Sequence, residues 1–398
     1  MNVTSLFPAD APFRLGDLTD GPTDDFLTVA DERIGDFLAR LGRALLRPAI
    51  ARAHPELAPL GFFLRRMPVP PRDEVLRVPR GLVFHVPPAN VDTVFAYCWA
   101  LSAWSGNRNV VKVSARAGDA TRVVLDAAND LLSEVDSVVA RTQRVIGYGH
   151  DDAITAALSE AADLRVVWGG DASVRALRRF PLAPHARDLT FPDRSSFAVI
   201  SVPGWRRSTA RQRRAAVEGF RDDTFWFGQA ACSSPRGVFW IGDPDDGRSA
   251  AREFRGLLTA VVAEKGYFPD PAMAVQKRVS AYGAAADGRV RLIEFDSEAV
   301  ATLELTEPAA LPRAWLGPGV FTHSWVKSLD DLRRIVCRKD QTVTHFGFDR
   351  AELVTFARKL AGRGVDRIVP FGSALAFSPV WDGYDLLTEF TKVVTVSS

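Results

Sequence analysis

The sequence has few of the residues that build disulfide frameworks and metal sites. Only three of its 398 residues are cysteine, Cys98, Cys232 and Cys337, and no two of them form a C-x-x-C pair. The six histidines are scattered, and no H-x-x-x-H pattern occurs. We therefore expect no disulfide scaffold and no metal, and the low cysteine content is typical of a reducing cytoplasm.

Several motifs that would define other functions are also missing. No G-x-x-x-x-G-K-[ST] phosphate loop and no G-x-S-x-G elbow occurs, which argues against P-loop and serine-hydrolase chemistry. The first residues lack the basic and apolar regions of a signal peptide, and the longest apolar run, "VDTVFAYCWALSAW", is too short to span a membrane. With 50 basic against 48 acidic side chains, the formal net charge of +2 gives no reason to expect a nucleic-acid partner.

The chain does contain a regular alternation of apolar strands and helical segments. Residues 1–70 read as surface helices and loops. From residue 81, each of four strand-like segments precedes a helical pattern: "GLVFHVPP", "NVVKVS", "TQRVIGYG" and "DLRVVWGG". A second series of this kind begins near residue 191. We predict an α/β protein with parallel sheets, whose ligand sites lie at the carboxyl ends of the strands.

A chain of this length predicts more than one packed domain. We place the N-terminal helices and a dinucleotide-binding domain in residues 1–190, and a catalytic domain in residues 191–370. Residues 371–398 form a return segment that ends in the β-rich stretch "FTKVVTVSS". Such a terminal strand often pairs with another sheet, in the same subunit or in a neighbouring one, so we expect it to contribute to oligomerisation.

The first candidate for chemistry is Cys232, in the loop "FGQAACSSPRG". A cysteine nucleophile acts as the thiolate and needs a partly exposed position near dipoles that favour the charged form. The small residues around Cys232 would let a substrate carbonyl approach closely, and the backbone N–H of Cys232 could point at a developing oxyanion. The alternative is a buried, inert cysteine, and the loop alone does not decide between the two.

Further candidates lie where predicted strands end. Asn90 follows the strand-ending "VPPA", and its amide could donate to an oxyanion or simply cap the next helix. Lys112 and Ser114 end the strand "NVVKVS", where a lysine can bind a ribose or phosphate, or remain at a solvated strand end. Gly169–Asp171 mark a strand-to-helix turn that a dinucleotide could approach, although a plain turn is the alternative.

In chain order, these segments resemble the acyl-CoA reductase family of the LuxC type, within the aldehyde dehydrogenase superfamily. The family includes the reductase component of the fatty acid reductase complex of bacterial bioluminescence. The resemblance covers most of the chain from Gly81 to Val394 and rests on "VPPAN", "NVVKVS", "VVWGGD", "FPDRSSFAVI", "QAACSSP" and "DRIVPFGSALAFSPVWDGYDLL". It implies a Rossmann-type cofactor domain, an α/β catalytic domain and a β tail used in oligomerisation.

The resemblance gives the candidates expected roles. Cys232 matches the catalytic thiol, and Asn90 matches the asparagine of the oxyanion hole. Lys112 matches the lysine that holds the adenosine ribose of the cofactor. Ser114 lies beside the position that contacts the 2′-substituent of that ribose.

The resemblance also places the cofactor turn at Gly169 and Gly170, followed by Asp171, beneath the pyrophosphate and nicotinamide. The superfamily binds the dinucleotide in its own way, which accounts for the lack of a G-x-G-x-x-G motif. We expect NADPH, with NADH as the alternative, because family members often use NADPH in the reductive direction. Lys112 or Arg116 could supply the cation that a 2′-phosphate needs.

Two departures from the superfamily pattern bear on the reaction. Hydrolytic aldehyde dehydrogenases carry a general-base glutamate in a Glu-Leu-Gly-Gly stretch, whereas the corresponding segment here, "TFPDRSS", contains none. A base that activates water is needed only when an acyl-enzyme is hydrolysed, so its absence favours a reductase. The glutamate that usually grips the nicotinamide ribose corresponds to Ala314, and Glu304 or Glu307 are the candidates to replace it.

The resemblance implies an enzyme that reduces an acyl thioester to an aldehyde through a cysteine-bound acyl-enzyme. The expected substrate is a fatty acyl group on CoA or on a protein, with an aromatic or polyketide-derived acyl group as the alternative. An acyl-protein synthetase or carrier protein is the implied partner, and a homodimer or homotetramer is the implied assembly. A non-acylating aldehyde dehydrogenase and a non-catalytic, carrier-binding homologue are the rival interpretations.

Overall fold

The structure is a computed structural model that describes residues 3–9, 11–19, 26–70, 75–88, 91 and 93–397. The chain divides into two compact units. Unit 1 comprises Met1–Asp193 and Phe377–Ser398, and unit 2 comprises Arg194–Ala376. The C-terminal segment therefore returns to the unit in which the chain begins.

Both units are built from short strands and helices in alternation. The strands are β1 (Thr4–Phe7), β2 (Leu76–Pro79), β3 (Leu82–Val86), β4 (Arg108–Val113), β5 (Gln143–Gly147), β6 (Leu164–Trp168), β7 (Arg187–Phe191), β8 (Ser195–Ser201), β9 (Pro235–Ile241), β10 (Val290–Phe295), β11 (Ala301–Leu305), β12 (Val320–Val326), β13 (Asp340–Phe346), β14 (Arg367–Pro370), β15 (Val380–Trp381), β16 (Tyr384–Asp385) and β17 (Thr391–Val394). The helices are α1 (Gly16–Thr19), α2 (Glu32–Leu45), α3 (Pro48–Ala53), α4 (Leu57–Leu64), α5 (Val94–Trp104), α6 (Asp119–Asp130), α7 (Ser137–Thr142), α8 (Asp152–Ala161), α9 (Asp171–Leu177), α10 (Val202–Arg207), α11 (Ala210–Phe225), α12 (Pro244–Glu264), α13 (Pro271–Ala286), α14 (Leu329–Leu332), α15 (Arg350–Leu360) and α16 (Leu386–Glu389).

Unit 1 is built on a sheet whose described strands run in the order β1-β5-β4-β3-β6-β7. β3 pairs in parallel with β4 and β6, and β5 and β7 extend the sheet in parallel on either side. β3 and β6 are almost entirely buried, as expected for strands covered on both faces. The order β5-β4-β3-β6-β7 is that of a Rossmann fold, whose ligands bind at the carboxyl ends of the strands.

The N-terminal segment is not made only of surface helices and loops, so that expectation is wrong. β1 pairs antiparallel with β5, and Phe7 at its end is fully buried. Phe7 stacks on Phe37 of α2 with ring centroids 5.8 Å apart, so α2 packs inward as well. A strand of four residues is too short for its alternation to be recognised in the sequence.

The return segment ends in β17, which pairs antiparallel with β2 of the same chain. A buried asparagine at the end of α5 fixes this approach. Asn107 Nδ2 donates to the Phe390 carbonyl at 2.9 Å, and Asn107 Oδ1 accepts the Arg80 N–H at 2.8 Å. The two-stranded ribbon leaves Val393 and Val394 exposed by 50% and 37%.

Unit 2 is built on a second sheet whose described strands run in the order β10-β11-β12-β9-β8-β13-β14. Its strands pair in parallel except for β10, which is antiparallel to β11. Side chains of β8 alternate between two apolar clusters, one with α11 and α12 and the other with α13 and α15. The order β12-β9-β8-β13-β14 repeats the Rossmann order of unit 1.

Candidate functional site

A pocket of about 630 Å³ opens at the carboxyl ends of β3, β4, β5 and β6 in unit 1. This is the edge at which open parallel sheets place their ligands. Four of the residues expected to bind the cofactor line it, namely Lys112, Ser114, Gly169 and Gly170. The parallel order of the strands brings them together although they are far apart in the sequence.

Lys112 is held against an aromatic ring. Its Nζ lies 4.4 Å from the centroid of the Tyr148 ring, which is a cation–π contact. Burial lowers the pKa of Lys112, since desolvation disfavours the ammonium form. Burial also raises the pKa of Tyr148, whose Oη lies 3.2 Å from Thr155 Oγ1. Tyr148 follows β5 directly. Its position at the carboxyl end of a strand is the feature of the sequence that could have identified it as a residue of the pocket.

The chain turns from β6 into α9 through two glycines. Gly169 has a φ of +155°, a backbone conformation that favours glycine. A Cβ on Gly170 would meet no heavy atom within 4 Å, so the backbone here borders open space in the pocket. Trp168, the last residue of β6, stacks on Phe191 with ring centroids 3.7 Å apart. The turn is therefore anchored on one side and open to an approaching group on the other.

The lining of this pocket is cationic. Lys112 and Arg116 contribute its positive charge, and no aspartate or glutamate is among its described lining residues. A dinucleotide carries its negative charge on phosphates, so the volume, the open backbone at Gly170 and the basic side chains all suit such a group. The contact of Lys112 with its adenosine ribose, the place of Ser114 beside the 2′-substituent, and the contact of Lys112 or Arg116 with a 2′-phosphate stay predictions.

One predicted cofactor residue, Asp171, is not among the described residues that line the pocket. Asp171 begins α9, and its Oδ1 accepts the Asp193 N–H at 3.3 Å. A carboxylate in the first turn of a helix also interacts favourably with the helix dipole. Asn90 lies outside the described residues. The cofactor and oxyanion roles of Asp171 and Asn90 stay predictions.

In unit 2, Cys232 lies half-buried in the turn that joins α11 to β9. Its carbonyl accepts a hydrogen bond from Ser196 Oγ at 2.6 Å, and Ser196 Oγ accepts the Thr342 N–H at 3.1 Å. Ser234 Oγ, two residues further on, donates to the Asp223 carbonyl at 2.7 Å. These bonds tie the turn to β8, β13 and α11, so the thiol is carried on a turn held by regular elements.

The other two cysteines have different surroundings. Cys98 is 2% exposed in α5, and burial raises the pKa of its thiol to about 12. Its thiolate form is therefore scarce at neutral pH, which makes it a poor nucleophile. Cys337 is half-buried, and its N–H donates to Asp340 Oδ2 at 2.8 Å. Cys232 is the one of the three that lies in a turn of small residues between a helix and a central strand.

The segment before β12 carries Ala314, which is exposed. Glu304, one candidate to replace the missing glutamate, has its carboxylate bonded by Arg291 and by Trp325 Nε1, the latter at 3.3 Å. Glu307, the other candidate, is exposed at the start of a short 3₁₀ turn. The carboxylate of Glu304 thus has structural partners, and a cofactor contact by either glutamate stays a prediction.

Two further findings concern the described residues as a whole. Among them, no group of three or more His, Cys, Asp or Glu side chains is placed to hold a metal ion. Within the same ranges, the structure contains no helix with the length and apolar character to cross a membrane.

The fold defined by these two units is that of the aldehyde dehydrogenases. A solved aldehyde dehydrogenase from Brucella melitensis biovar abortus 2308 matches with a TM-score of 0.67 at 14% identity, covering 95% of this chain and 86% of that one. Indole-3-acetaldehyde dehydrogenase, solved in complex with NAD⁺, matches with a TM-score of 0.63 at 14% identity, covering 98% and 87%. At such identities the likeness shows the fold alone.

Sequence similarity narrows this fold to one family. The sequence model of the family described as acyl-CoA reductase (LuxC) matches residues 56–304, more than half of the 398-residue chain. The chain belongs to the acyl-CoA reductase (LuxC) family, so the predicted family and fold class are confirmed. A long-chain acyl-protein thioester reductase of Aliivibrio fischeri is 24% identical over 168 residues, which are 42% of this chain and 33% of that relative. The chain therefore matches about one third of the length of that curated relative.

Proposed function

We propose that the protein is a nicotinamide-dependent acyl-thioester reductase that forms an aldehyde through an acyl group carried on Cys232. The proposal rests on the position of Cys232, which lies half-buried in a turn, in a chain that belongs to the acyl-CoA reductase family. The absence of glutamate from "TFPDRSS" supports reduction over hydrolysis, because a hydrolase needs a base that activates water.

In the proposed mechanism, the Cys232 thiolate attacks the thioester carbonyl and displaces the donor thiolate, which takes up the one proton that the overall reaction consumes. Ser196 fixes the backbone of Cys232 through the bond to its carbonyl at 2.6 Å. Asn90 and the Cys232 N–H are the proposed donors to the oxyanion. A reduced nicotinamide, if held by Lys112 and Ser114, would supply the hydride that reduces the acyl group. Cys232 would leave as the thiolate when the carbon–sulfur bond breaks and the aldehyde is released.

The substrate we propose is a long-chain acyl group on a protein or on CoA. The support is the name of the Aliivibrio fischeri relative, a long-chain acyl-protein thioester reductase. An acyl-protein synthetase or a carrier protein is the proposed acyl donor. A homodimer or homotetramer is the proposed assembly, and the exposed Val393 and Val394 on the β2–β17 ribbon support it, because apolar side chains at such a ribbon suit a subunit contact.

The test of the proposed reaction uses the whole chain and Cys232→Ala, with Cys337→Ala as the matched control. Incubation with a long-chain acyl-CoA, followed by intact mass spectrometry, should show an acyl adduct on the unaltered protein and on Cys337→Ala. Cys232→Ala should show neither the adduct nor aldehyde formation. Aldehyde formation by Cys232→Ala at the unaltered rate would refute the proposal.

We propose NADPH as the cofactor, and the cationic pocket lining supports it. Arg116 lies on the same turn as Ser114, whose Oγ accepts the Arg116 N–H at 3.2 Å. A 2′-phosphate needs a cation, whereas sites specific for NADH place a carboxylate on the ribose.

The test is Arg116→Ala. A hydrogen bond to a charged group contributes about 1.5–3 kcal/mol, so the KM for NADPH should rise roughly tenfold to hundredfold while the KM for NADH changes little. Arg122→Ala, an exposed arginine of α6, is the control. Equal rises in KM for both cofactors would contradict the 2′-phosphate contact.

A further inference from the structure

Gln229, three residues before Cys232, has a backbone conformation that favours glycine. Its φ is +61°, in the left-handed region. For a residue with a long side chain, this conformation is unfavourable and persists only where the surroundings hold it. The side chain of Gln229 is 1% exposed, so what holds it lies inside unit 2.

The buried amide of Gln229 makes three hydrogen bonds. Nε2 donates to the carbonyls of Pro235 at 2.9 Å and of Val320 at 3.2 Å. Oε1 accepts the Gly319 N–H at 2.9 Å. Pro235 begins β9 and Val320 begins β12, two neighbouring strands of the sheet. Both donor hydrogens of the amide and its acceptor oxygen are therefore bonded to backbone groups at the starts of β9 and β12.

These bonds join residues that lie on both sides of Cys232 in the sequence. Gln229 and Pro235 stand three residues before and three residues after Cys232, so the first bond closes the turn around the thiol. Gly319 has a φ of +72°, and a Cβ on it would collide with the Ala299 carbonyl, so the residue that donates to Gln229 Oε1 has to be glycine. A second bond from the same segment, Trp315 Nε1 to the Gly228 carbonyl at 3.0 Å, holds the residue before Gln229.

We propose that Gln229 is a positioning residue that fixes the Cys232 turn between β9 and β12. Its described hydrogen bonds go to backbone groups, and it acts by fixing the backbone from which the thiol projects. A displacement of about 1 Å in a catalytic group can lower a rate by roughly a hundredfold, so a clamp on this turn bears directly on turnover. The inference rests on the proposed function, in which Cys232 is the nucleophile.

Gln229→Glu tests the clamp because it keeps the shape and exchanges one donor for an acceptor. The ionised carboxylate still accepts the Gly319 N–H, but it faces the Pro235 and Val320 carbonyls without a hydrogen to donate. We expect kcat to fall about tenfold to hundredfold at pH 8. The protonated carboxyl can donate to one carbonyl, and burial favours this form. The ratio of its kcat to that of the unaltered protein at the same pH should therefore recover as the pH falls toward 6.

Gln229→Gly is the second variant, because it relieves the backbone strain while it removes all three bonds. It should fold, lower kcat by a similar factor, leave the KM for the cofactor unchanged and slow alkylation of Cys232 by iodoacetamide. Gln276→Glu is the matched control, since Gln276 is exposed on α13 and its Nε2 bonds only to Ser280 Oγ among the described contacts.

The inference requires both results, low kcat in Gln229→Gly and recovery of Gln229→Glu at low pH. If either is missing while Cys232→Ala is inactive, the clamp is refuted and the proposed function stands. If Cys232→Ala keeps the unaltered rate of aldehyde formation, the proposed function itself fails, whatever the Gln229 variants do.

Discussion

Asp223 should give the stability of the protein a pH dependence that a single substitution removes. This carboxylate lies at the end of α11 and is 1% exposed. Its two oxygens accept the backbone N–H groups of Gly372 at 2.7 Å and Ala374 at 2.8 Å. Arg367 and Asp222 are the charged groups that act on it. The carbonyl of Asp223 also accepts the bond from Ser234, in the turn that carries Cys232.

Burial raises the pKa of Asp223 to about 7, against an ordinary value of 3.8, and the two N–H donors oppose the rise only in part. The folded state therefore holds the proton more tightly than the unfolded state. The stability from this group is fully present below pH 3.8 and is lost as the pH rises to about 7. The difference between the two pKa values corresponds to about 4 kcal/mol.

The change is Asp223→Asn, and the measurement is the free energy of unfolding in urea at intervals between pH 4.5 and 8. Buried histidines give the whole protein the opposite trend, because burial lowers the pKa of His85 to about 4 and of His323 to about 3. The quantity to follow is therefore the difference in unfolding free energy between the variant and the unaltered protein.

With rising pH, the unaltered protein should lose stability relative to Asp223→Asn, by on the order of 3 kcal/mol between pH 4.5 and 7. Glu218→Gln is the control, because Glu218 lies on the same helix with its side chain 43% exposed and paired with Arg214. A difference between Asp223→Asn and the unaltered protein that does not change with pH would refute the reasoning.

Three further predictions follow from the described contacts. Asn107→Ala should lower the free energy of unfolding by on the order of 3 kcal/mol, measured in urea, because it removes four hydrogen bonds of a buried amide, among them the bond from the Gly81 N–H at 3.0 Å. A loss under about 0.5 kcal/mol would contradict this. Iodoacetamide at pH 7.5, followed by peptide mass spectrometry, should label Cys232 well before Cys98, and equal labelling would show that burial does not protect Cys98. Removal of residues 391–398 should lower the mass of the assembly in light scattering, and an unchanged mass would exclude the tail from the subunit contact.

The positions of the strand-end residues of unit 1 were predictable, because the hydrophobic period of each segment and the order of the segments indicate which strands pair. An apolar strand followed by a helix predicts that the next strand will pair with it in parallel. Parallel pairing brings the carboxyl ends of the strands to one edge of the sheet. Lys112 and Gly169 therefore came to one pocket without any knowledge of side-chain contacts. Family resemblance was needed only to say which chemistry that edge would serve.

Other features could not be predicted, because local patterns do not contain them. The sequence of α13 shows no clear apolar face, because Val275, Val279 and Tyr282 are apolar although they are exposed by 62%, 61% and 57%. The bonds of Gln229 depend on carbonyls up to 91 residues away. A glutamine in a loop gives no sign in the sequence that it will be buried.

The two sheets share one strand order, but they differ in whether the carboxyl ends of their strands leave open space for a ligand. In unit 1, the carboxyl ends of the strands open into the pocket that Lys112 and Gly170 line. In unit 2, the corresponding crevice lies between the ends of β8 and β13, where a Cβ on Gly204 would collide with the backbone of Gly347. Backbone contact thus fills the place at which the Rossmann rule would put a ligand. Cys232 instead lies before β9, at the amino end of its strand, so the rule that locates the pocket of unit 1 cannot locate the turn of unit 2 that carries Cys232.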